Sequence, residues 1–304
     1  MNNETSGDFD ANVKRIVVAT DYSAEARKAV GRAGRLAQQH GAYLHLVHAQ
    51  PDWNLFSQTA SSTAEQYNAI TAHAENALRL ELAWLETTFG IAARGENRAG
   101  RASEVLRSVV REIEPHLIVA GAHGEHYTPD MAPLLGGTAL KLIASAPVPT
   151  LIVRSRDAPY RNALAAVETQ SEGARRLIRW AHAMVQDGDC HIVHAFDVPY
   201  AERLVAHGMT EARLRECQAE VRRCASTVVE ELVAATGEKG LRLHAHLICG
   251  EPVSAVLTEI HNRSPDIVIL GKHQLPPREL RLASLGGIAL RIAYHAPADV
   301  LIVP

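Results

Sequence analysis

Three short segments in the first half of the chain carry residue types suited to a phosphorylated ligand. The apolar run 14–20 (KRIVVAT) ends in Ala19 and Thr20 and is followed by Asp21. An acidic side chain at that point suits a ribose hydroxyl or a base amine. Gly121, Ala122, His123 and Gly124 follow another apolar run, and Gly136, Gly137 and Thr138 open a helical stretch. Glycines let a phosphate reach bare backbone amides, and a helix N-terminus adds unpaired amides and the positive end of its dipole. Open α/β sheets bind ligands outside the carboxyl ends of their strands, where strand order reverses. The three segments together therefore make a nucleotide pocket. The same glycines are also common turn residues, and the Gly136-Gly137 pair has close packing at a helix start as its competing explanation.

Sixteen histidines are the second chemical feature. His45-x2-His48 recurs as His191-x2-His194, but residues three apart on a strand face opposite sides, so neither pair chelates one metal. His244 and His246 share a face, and zinc would need further ligands from elsewhere. His123 and His126 lie on a polar loop (GEHYTPD) and could meet, or His123 could contact a phosphate. Hydrogen-bonded structural histidines are the expectation for the others, with no metal site. No nucleophile–base–orienter set is visible, so no catalytic residue is assigned. Ser23 and Ser171 read as helix caps, and Lys272 lacks the G-x4-G-K-(S/T) context of a phosphate-binding lysine.

The elements that hold these residues are written twice, at an offset of 150 residues. Gly100 recurs as Gly250, Pro115 as Pro265, Gly121 as Gly271, His123 as His273, and Gly136-Gly137 as Gly286-Gly287. Each half alternates β-branched runs with helical stretches, the pattern of a doubly wound parallel sheet. In the first half strands are expected at 14–20, 42–49, 91–98, 116–121 and 148–153, and helices at 23–40, 64–89, 103–113 and 134–145, with 51–62 as a loop containing Trp53 and Phe56. In the second, strands are expected at 162–168, 190–196, 241–247, 266–271 and 299–303, and helices at 171–186, 211–236, 253–262 and 285–294. The expected organisation is a disordered leader over 1–11, a domain over 12–154, a linker over 155–160 and a domain over 161–304, each domain an α/β five-stranded sheet.

Bulk composition agrees. The 304 residues suit two domains at about 100–200 residues each. A net charge of −3 leaves no basic excess to attract nucleic acid or an anionic membrane. Apolar runs are far shorter than the ~20 residues of a membrane span. The acidic start has no signal-peptide pattern, so a cytoplasmic location is expected. Cys217 and Cys224 share a helical stripe with Leu214, Val221, Val228 and Leu232 and read as buried reduced thiols.

The segments 14–23 (KRIVVATDYS), 115–124 (PHLIVAGAHG) and 134–153 (LLGGTALKLIASAPVPTLIV) resemble the universal stress proteins. The second half carries the same signature at 265–274 (PDIVILGKHQ) and 285–304 (LGGIALRIAYHAPADVLIVP). The resemblance runs from about residue 12 to the end and implies a tandem, Rossmann-like pair of domains about a pseudo-two-fold axis. It also implies that 148–153 and 299–303 pair, giving a monomeric pseudo-dimer or a homodimer. Nucleotide-binding members carry G-x2-G-x9-G-(S/T), and others lack it and bind no ATP. By that resemblance Ala19, Thr20, Asp21 and Ala49 surround adenine and ribose, and Gly121, Ala122, His123, Gly124, Gly136, Gly137 and Thr138 surround the phosphates of ATP with magnesium. The chain departs from the motif: eleven residues separate Gly124 from Gly136, and Gly137 stands where a hydroxyl is usual, with Thr138 next. The second set, Glu168, Gly271, Lys272, His273, Gly286 and Gly287, is weaker, because Glu168 replaces Asp21 and Gln274 replaces Gly124. Three functions stay open: a nucleotide-sensing stress protein with at most slow ATP hydrolysis, a docking protein for an unknown protein partner, and a binder of another ligand or metal through the 121–138 loop.

Overall fold

The computed structural model describes residues 11–54, 57, 63–124, 135–155, 158–168, 171–198, 201–236, 241–272 and 287–304. The expected leader and the 125–134 loop, with His126, lie outside the described residues, as do Phe56, His273, Gln274 and Gly286. The first repeat runs β1 (Arg15–Thr20), α1 (Ala24–His40), β2 (Tyr43–Gln50), α2 (Ala64–Phe89), β3 (Ala93–Ala99), α3 (Ala102–Ile113), β4 (Leu117–Gly121), α4 (Gly137–Ser145) and β5 (Thr150–Val153). The second runs β6 (Asn162–Ala166), α5 (Ser171–Met184), β7 (Gly188–Phe196), α6 (Ala201–Ala206), α7 (Glu211–Thr236), β8 (Leu241–Cys249), α8 (Pro252–Arg263), β9 (Ile267–Gly271), α9 (Ile288–His295) and β10 (Asp299–Val303).

Local chemistry explains the boundaries. Ser23 caps α1 by accepting the Ala26 amide, and Gly41 ends it at φ +58, a left-handed conformation that glycine adopts without strain. Thr63 and Gln66 form a reciprocal capping box at the start of α2. Helix α4 begins at Gly137, three residues later than the expected start at 134, because Gly136 holds the extended N-cap conformation. Helix α6 was not anticipated.

Two compact units emerge. One contains residues 12–159 together with 299–302, and the other contains 160–298. In the first, the strand order is β3-β2-β1-β4-β5-β10. All neighbours there are parallel except β5 and β10, which pair antiparallel with Val300 opposite Ile152 and Ile302 opposite Thr150. In the second the order is β9-β6-β7-β8, all parallel. Each repeat supplies five strands, but the last strand of the second packs with the first unit. The cores are the apolar strands themselves: Ile16, Val17, Val18, Leu117, Ile118 and Val119 are wholly buried, as are Ile267, Val268 and Ile269. Among the described residues no helix is long and apolar enough to cross a membrane.

The stripe on α7 differs from expectation. Ala225, Val229 and Leu232 are buried, whereas Cys224 is exposed and Cys217 half-buried. The heptad-like spacing placed the cysteines on the stripe, but the helix turns its Ala225–Val229 edge inward. All four cysteines are free.

Strand β10 is tied down by a buried charge. Asp299 is 0% exposed and Arg32, on α1, is 2% exposed. The Arg32 Nε lies 3.4 Å from Asp299 Oδ2, and Asp299 Oδ1 accepts the amides of Arg154 and Ser155, both at 2.8 Å. Arg32 also donates to the Ala158 carbonyl and to Ser155 Oγ. Removing one member leaves the other charge buried, which costs about 3–5 kcal/mol. Asp299→Ala is therefore expected to lower the stability of the full chain by that amount in chemical denaturation. An Arg32→Met, Asp299→Leu double variant should recover much of the loss. A single-variant cost under about 1 kcal/mol would mean that the pair does not anchor the strand.

Candidate functional site

Strand β1 pairs with β2 on one side and β4 on the other, so the strand order reverses between β1 and β4. The crevice at their carboxyl ends is where an open α/β sheet holds a ligand. Asp21 leaves β1 there, and residues 121–124 leave β4.

The structure brings these segments together. Asp21 Oδ1 accepts the Ser23 amide at 3.0 Å, which turns the chain into α1. A Cβ on Gly124 would come within 2.9 Å of Asp21 Oδ2, so the carboxylate lies against the Gly124 backbone. The Gly136 amide donates to the Ala122 carbonyl at 2.8 Å. A Cβ on Gly136 would meet Ala122 O, His123 Cα and Gly124 N at 3.4–3.8 Å. The start of α4 is thus seated on the backbone of 122–124. Among the described residues no side chain caps it, and none comes within 4 Å of a Cβ placed on Gly137. Thr138 is half-buried in the first turn, and Ala122 is buried. Ala19 and Ala49 are half-buried near the ends of β1 and β2, Ala49 in register with Arg98 of β3.

Around Asp21 stand residues that the sequence reading missed. Tyr22 has φ +61, a left-handed conformation costly for a bulky side chain. Its amide donates to Thr20 Oγ1 at 3.0 Å, its hydroxyl to Asn97 Oδ1 at 2.5 Å, and its ring lies 4.5 Å from that of His48. His48 Nδ1 in turn donates to the Thr20 carbonyl at 3.0 Å. Tyr22 therefore ties together the ends of β1, β2 and β3. Burial, then the charge of Glu81, pushes its phenol above the usual range.

Glu81 comes from α2 and is 4% exposed. Its Oε2 has no hydrogen-bond partner among the described residues. Burial raises its carboxyl above the ordinary range; the Arg27 guanidinium and a hydrogen bond with Thr20 oppose this, and the Asp21 charge adds to it. Arg27 is itself held over the Trp84 ring at 4.0 Å. The signal was an acidic residue inside the apolar stripe of Ala74, Leu78, Leu82 and Leu85.

The second repeat is different. Glu168 is exposed and lies beyond the end of β6. Gly271 ends β9, and the Lys272 amide donates to the Val303 carbonyl at 2.7 Å. Burial holds the Lys272 amine below its ordinary value. Gly287 is the extended N-cap of α9, again with no side-chain cap among the described residues. His194 donates to the Val167 carbonyl at 3.0 Å, as His48 does to Thr20, so these two histidines are structural. Among the described residues no group of three or more His, Cys, Asp and Glu could hold a metal ion.

The model of the universal stress protein family matches residues 12–154 and again 159–304. A universal stress protein from Archaeoglobus fulgidus DSM 4304 has a similar structure, with a TM-score of 0.69 and 17% identity over 97% of this chain and 98% of its own. A putative universal stress protein from Pseudomonas aeruginosa UCBPP-PA14 is also similar, with a TM-score of 0.61 and 17% identity over 96% of this chain and 94% of its own. At these identities the likeness concerns the fold. No curated protein matches the sequence.

Glu81 generates a pH-dependent expectation. A carboxyl raised in the folded state contributes most below its unfolded value of about 4.5, and that contribution is lost as pH rises through the folded value. Glu81→Gln removes the ionisation and keeps the shape. Its stability relative to wild type should grow from pH 4 to pH 7. Denaturation midpoints across that range check this, and parallel pH profiles would place the ionised form of Glu81 at ease in the fold.

Proposed function

Because the chain belongs to the universal stress protein family, we propose that it is a cytoplasmic stress-response protein that binds an adenine nucleotide through its first repeat. The observation that carries this reading is the convergence of Asp21, the 121–124 backbone and the uncapped start of α4 at the switch point between β1 and β4. In the proposed complex Asp21 takes the ribose hydroxyls. Amides from Gly124 and the first turn of α4 take the phosphates of ATP, with magnesium sharing their charge. Ala19, Thr20 and Ala49 line the base end, and His123 lies beside the phosphates. The second repeat carries a degraded site, since Glu168 is exposed and displaced from the β6 end.

No nucleophile–base–orienter set is assigned to this crevice, and the hydrolysis expected of it is slow at most. The chemistry is that of a switch, in which a protein partner reads the nucleotide-bound surface of the first repeat. A docking function without nucleotide is the second reading. It is favoured by the engagement of Asp21 Oδ1 with the Ser23 amide, a turn that forms whatever the site holds.

Mass spectrometry of small molecules released from fresh protein, followed by calorimetry with Mg-ATP, tests the proposal. Wild type should bind one nucleotide per chain. Asp21→Ala should weaken binding roughly tenfold or more, the cost of losing charge-assisted hydrogen bonds. Gly124→Gln should abolish it by crowding Asp21 and the phosphate path. Equal binding by wild type and both variants would sink the site assignment. No nucleotide released, and no heat up to millimolar Mg-ATP, would leave docking as the function.

A further inference from the structure

At equivalent register the two repeats pair a histidine with different partners. In the first, His45 lies opposite Arg94, and two residues along β3 its Nε2 meets Glu96 Oε1 at 2.8 Å. In the second, His191 lies opposite His244, and two residues along β8 its Nδ1 meets His246 Nε2 at 3.0 Å. An acid–base pair has been replaced by two bases.

The proton positions in the second repeat follow from arginine having no acceptor. Arg263, the last residue of α8, directs Nη2 at His246 Nδ1 at 3.1 Å and is itself held by Glu259 Oε2 at 2.6 Å. His246 Nδ1 must therefore accept, which puts its proton on Nε2. That proton is donated to His191 Nδ1, so the proton of His191 is on its own Nε2. Both nitrogens that would take up an added proton are already filled by donors. A proton on His246 Nδ1 would face a guanidinium, and one on His191 Nδ1 would face an N–H.

The remaining charges have been placed on all sides of this chain of bonds. His244 stacks on His191 at 5.0 Å between ring centroids. His244 Nε2 lies 2.7 Å from Asp189 Oδ1, and Arg242 binds the same carboxylate. Hydrogen bonds from Arg242, then His244, hold Asp189 far below the ordinary carboxylate range, so it stays charged on acidification. Asp189 favours a charge on His191 as well, but burial and the charges of Arg263, His246 and His244 outweigh it. Glu259 favours a charge on His246 but is occupied by Arg263.

We propose that Arg263, His246 and His191 form an acid-sensitive latch that holds edge strand β8 and the end of α8 against β7 at neutral pH and lets them go when a proton enters. The edge position matters: β8 is the terminal strand of its unit, so β7 is its one strand neighbour. Burial, followed by the charges of Arg263, His246 and His244, lowers the His191 imidazole to about 4. Burial, then Arg263, also lowers His246. A base with a lowered folded value contributes stability that is complete above its unfolded value, about 6.5, and is lost as pH falls from there toward about 4. The metal alternative is weaker, since a cation would have to displace the His246 proton while Arg263 points at the same ring.

Hydrogen exchange on the full chain tests the latch. The opening constant of β8 amides, corrected for the pH dependence of intrinsic exchange, should rise roughly tenfold or more between pH 7 and pH 4.5. Strand β3, with its His45–Glu96 pair, serves as an internal control and should show no such rise. His246→Glu, which copies the first repeat, should remove the β8 response. His191→Gln offers a second route if that variant fails to fold, and it should blunt the response as well. Long-range proton–nitrogen NMR at pH 7 should find both His191 and His246 protonated at Nε2. A β8 response that survives both substitutions, a matching response in β3, or a Nδ1 proton on His246 would each overturn the proposal.

Discussion

The double pairing of β1 is the constraint from which the rest of the structure follows. A strand with parallel neighbours on both sides has both faces covered by helices, so it must be apolar throughout. Ile16, Val17 and Val18 satisfy this. The chain can then leave the strand only at its carboxyl end, and β2 and β4 depart from β1 in opposite directions. The gap between them is a necessary product of the topology. Asp21 stands at that gap because it is the first residue after the strand, and Gly121 to Gly124 stand there because they follow β4.

Once the gap exists, its walls are built from polar groups that cannot be left bare. The Thr20 carbonyl is taken by His48, Thr20 Oγ1 by the Tyr22 amide, the Tyr22 hydroxyl by Asn97, and Asp21 by the Ser23 amide. The left-handed backbone of Tyr22 is held by contacts to three strands, which together outweigh the one or two kcal/mol that the conformation costs. Glu81 departs from this pattern, a buried carboxyl with one oxygen that has no hydrogen-bond partner among the described residues and a second carboxylate nearby. A group of this kind persists only where the surroundings over-determine it.

The repeat, the strand–helix alternation and the positions of Asp21 and the glycine segments were legible in the sequence because each is a local pattern of spacing. Ser23 as a cap is of the same kind. What was not legible depends on which side of a helix faces inward. Cys224 has the spacing of a core residue and lies in water, while Glu81 lies in the core inside an otherwise apolar stripe. A helical wheel fixes relative angles along one helix but not its rotation against the sheet. The start of α4 falls later than expected for a related reason, since Leu135 is apolar but precedes the helix, and Gly136 is extended and bonded to Ala122 at the boundary. The pairing of His191 with His246 was hidden because it needs the β7–β8 register, which no single-strand pattern carries.

Comparison of the repeats separates framework from specialisation. The histidine that bonds the carbonyl at the end of the first strand is present in both, as His48 and His194, and so is the glycine N-cap of the last helix, as Gly136 and Gly287. The histidines serve the fold, because each satisfies a backbone carbonyl at the end of the first strand of its repeat. The residues that differ lie where the fold makes no such demand. Asp21 is matched by Glu168 beyond the end of the first strand, and Glu96 by His246 on the edge strand, so the side chain differs at both places. The two repeats thus share one order of strands and principal helices while differing in side-chain chemistry at matched positions. The first repeat has a carboxylate, Asp21, at its switch point, and the second has the bonded series Arg263, His246 and His191 at its edge.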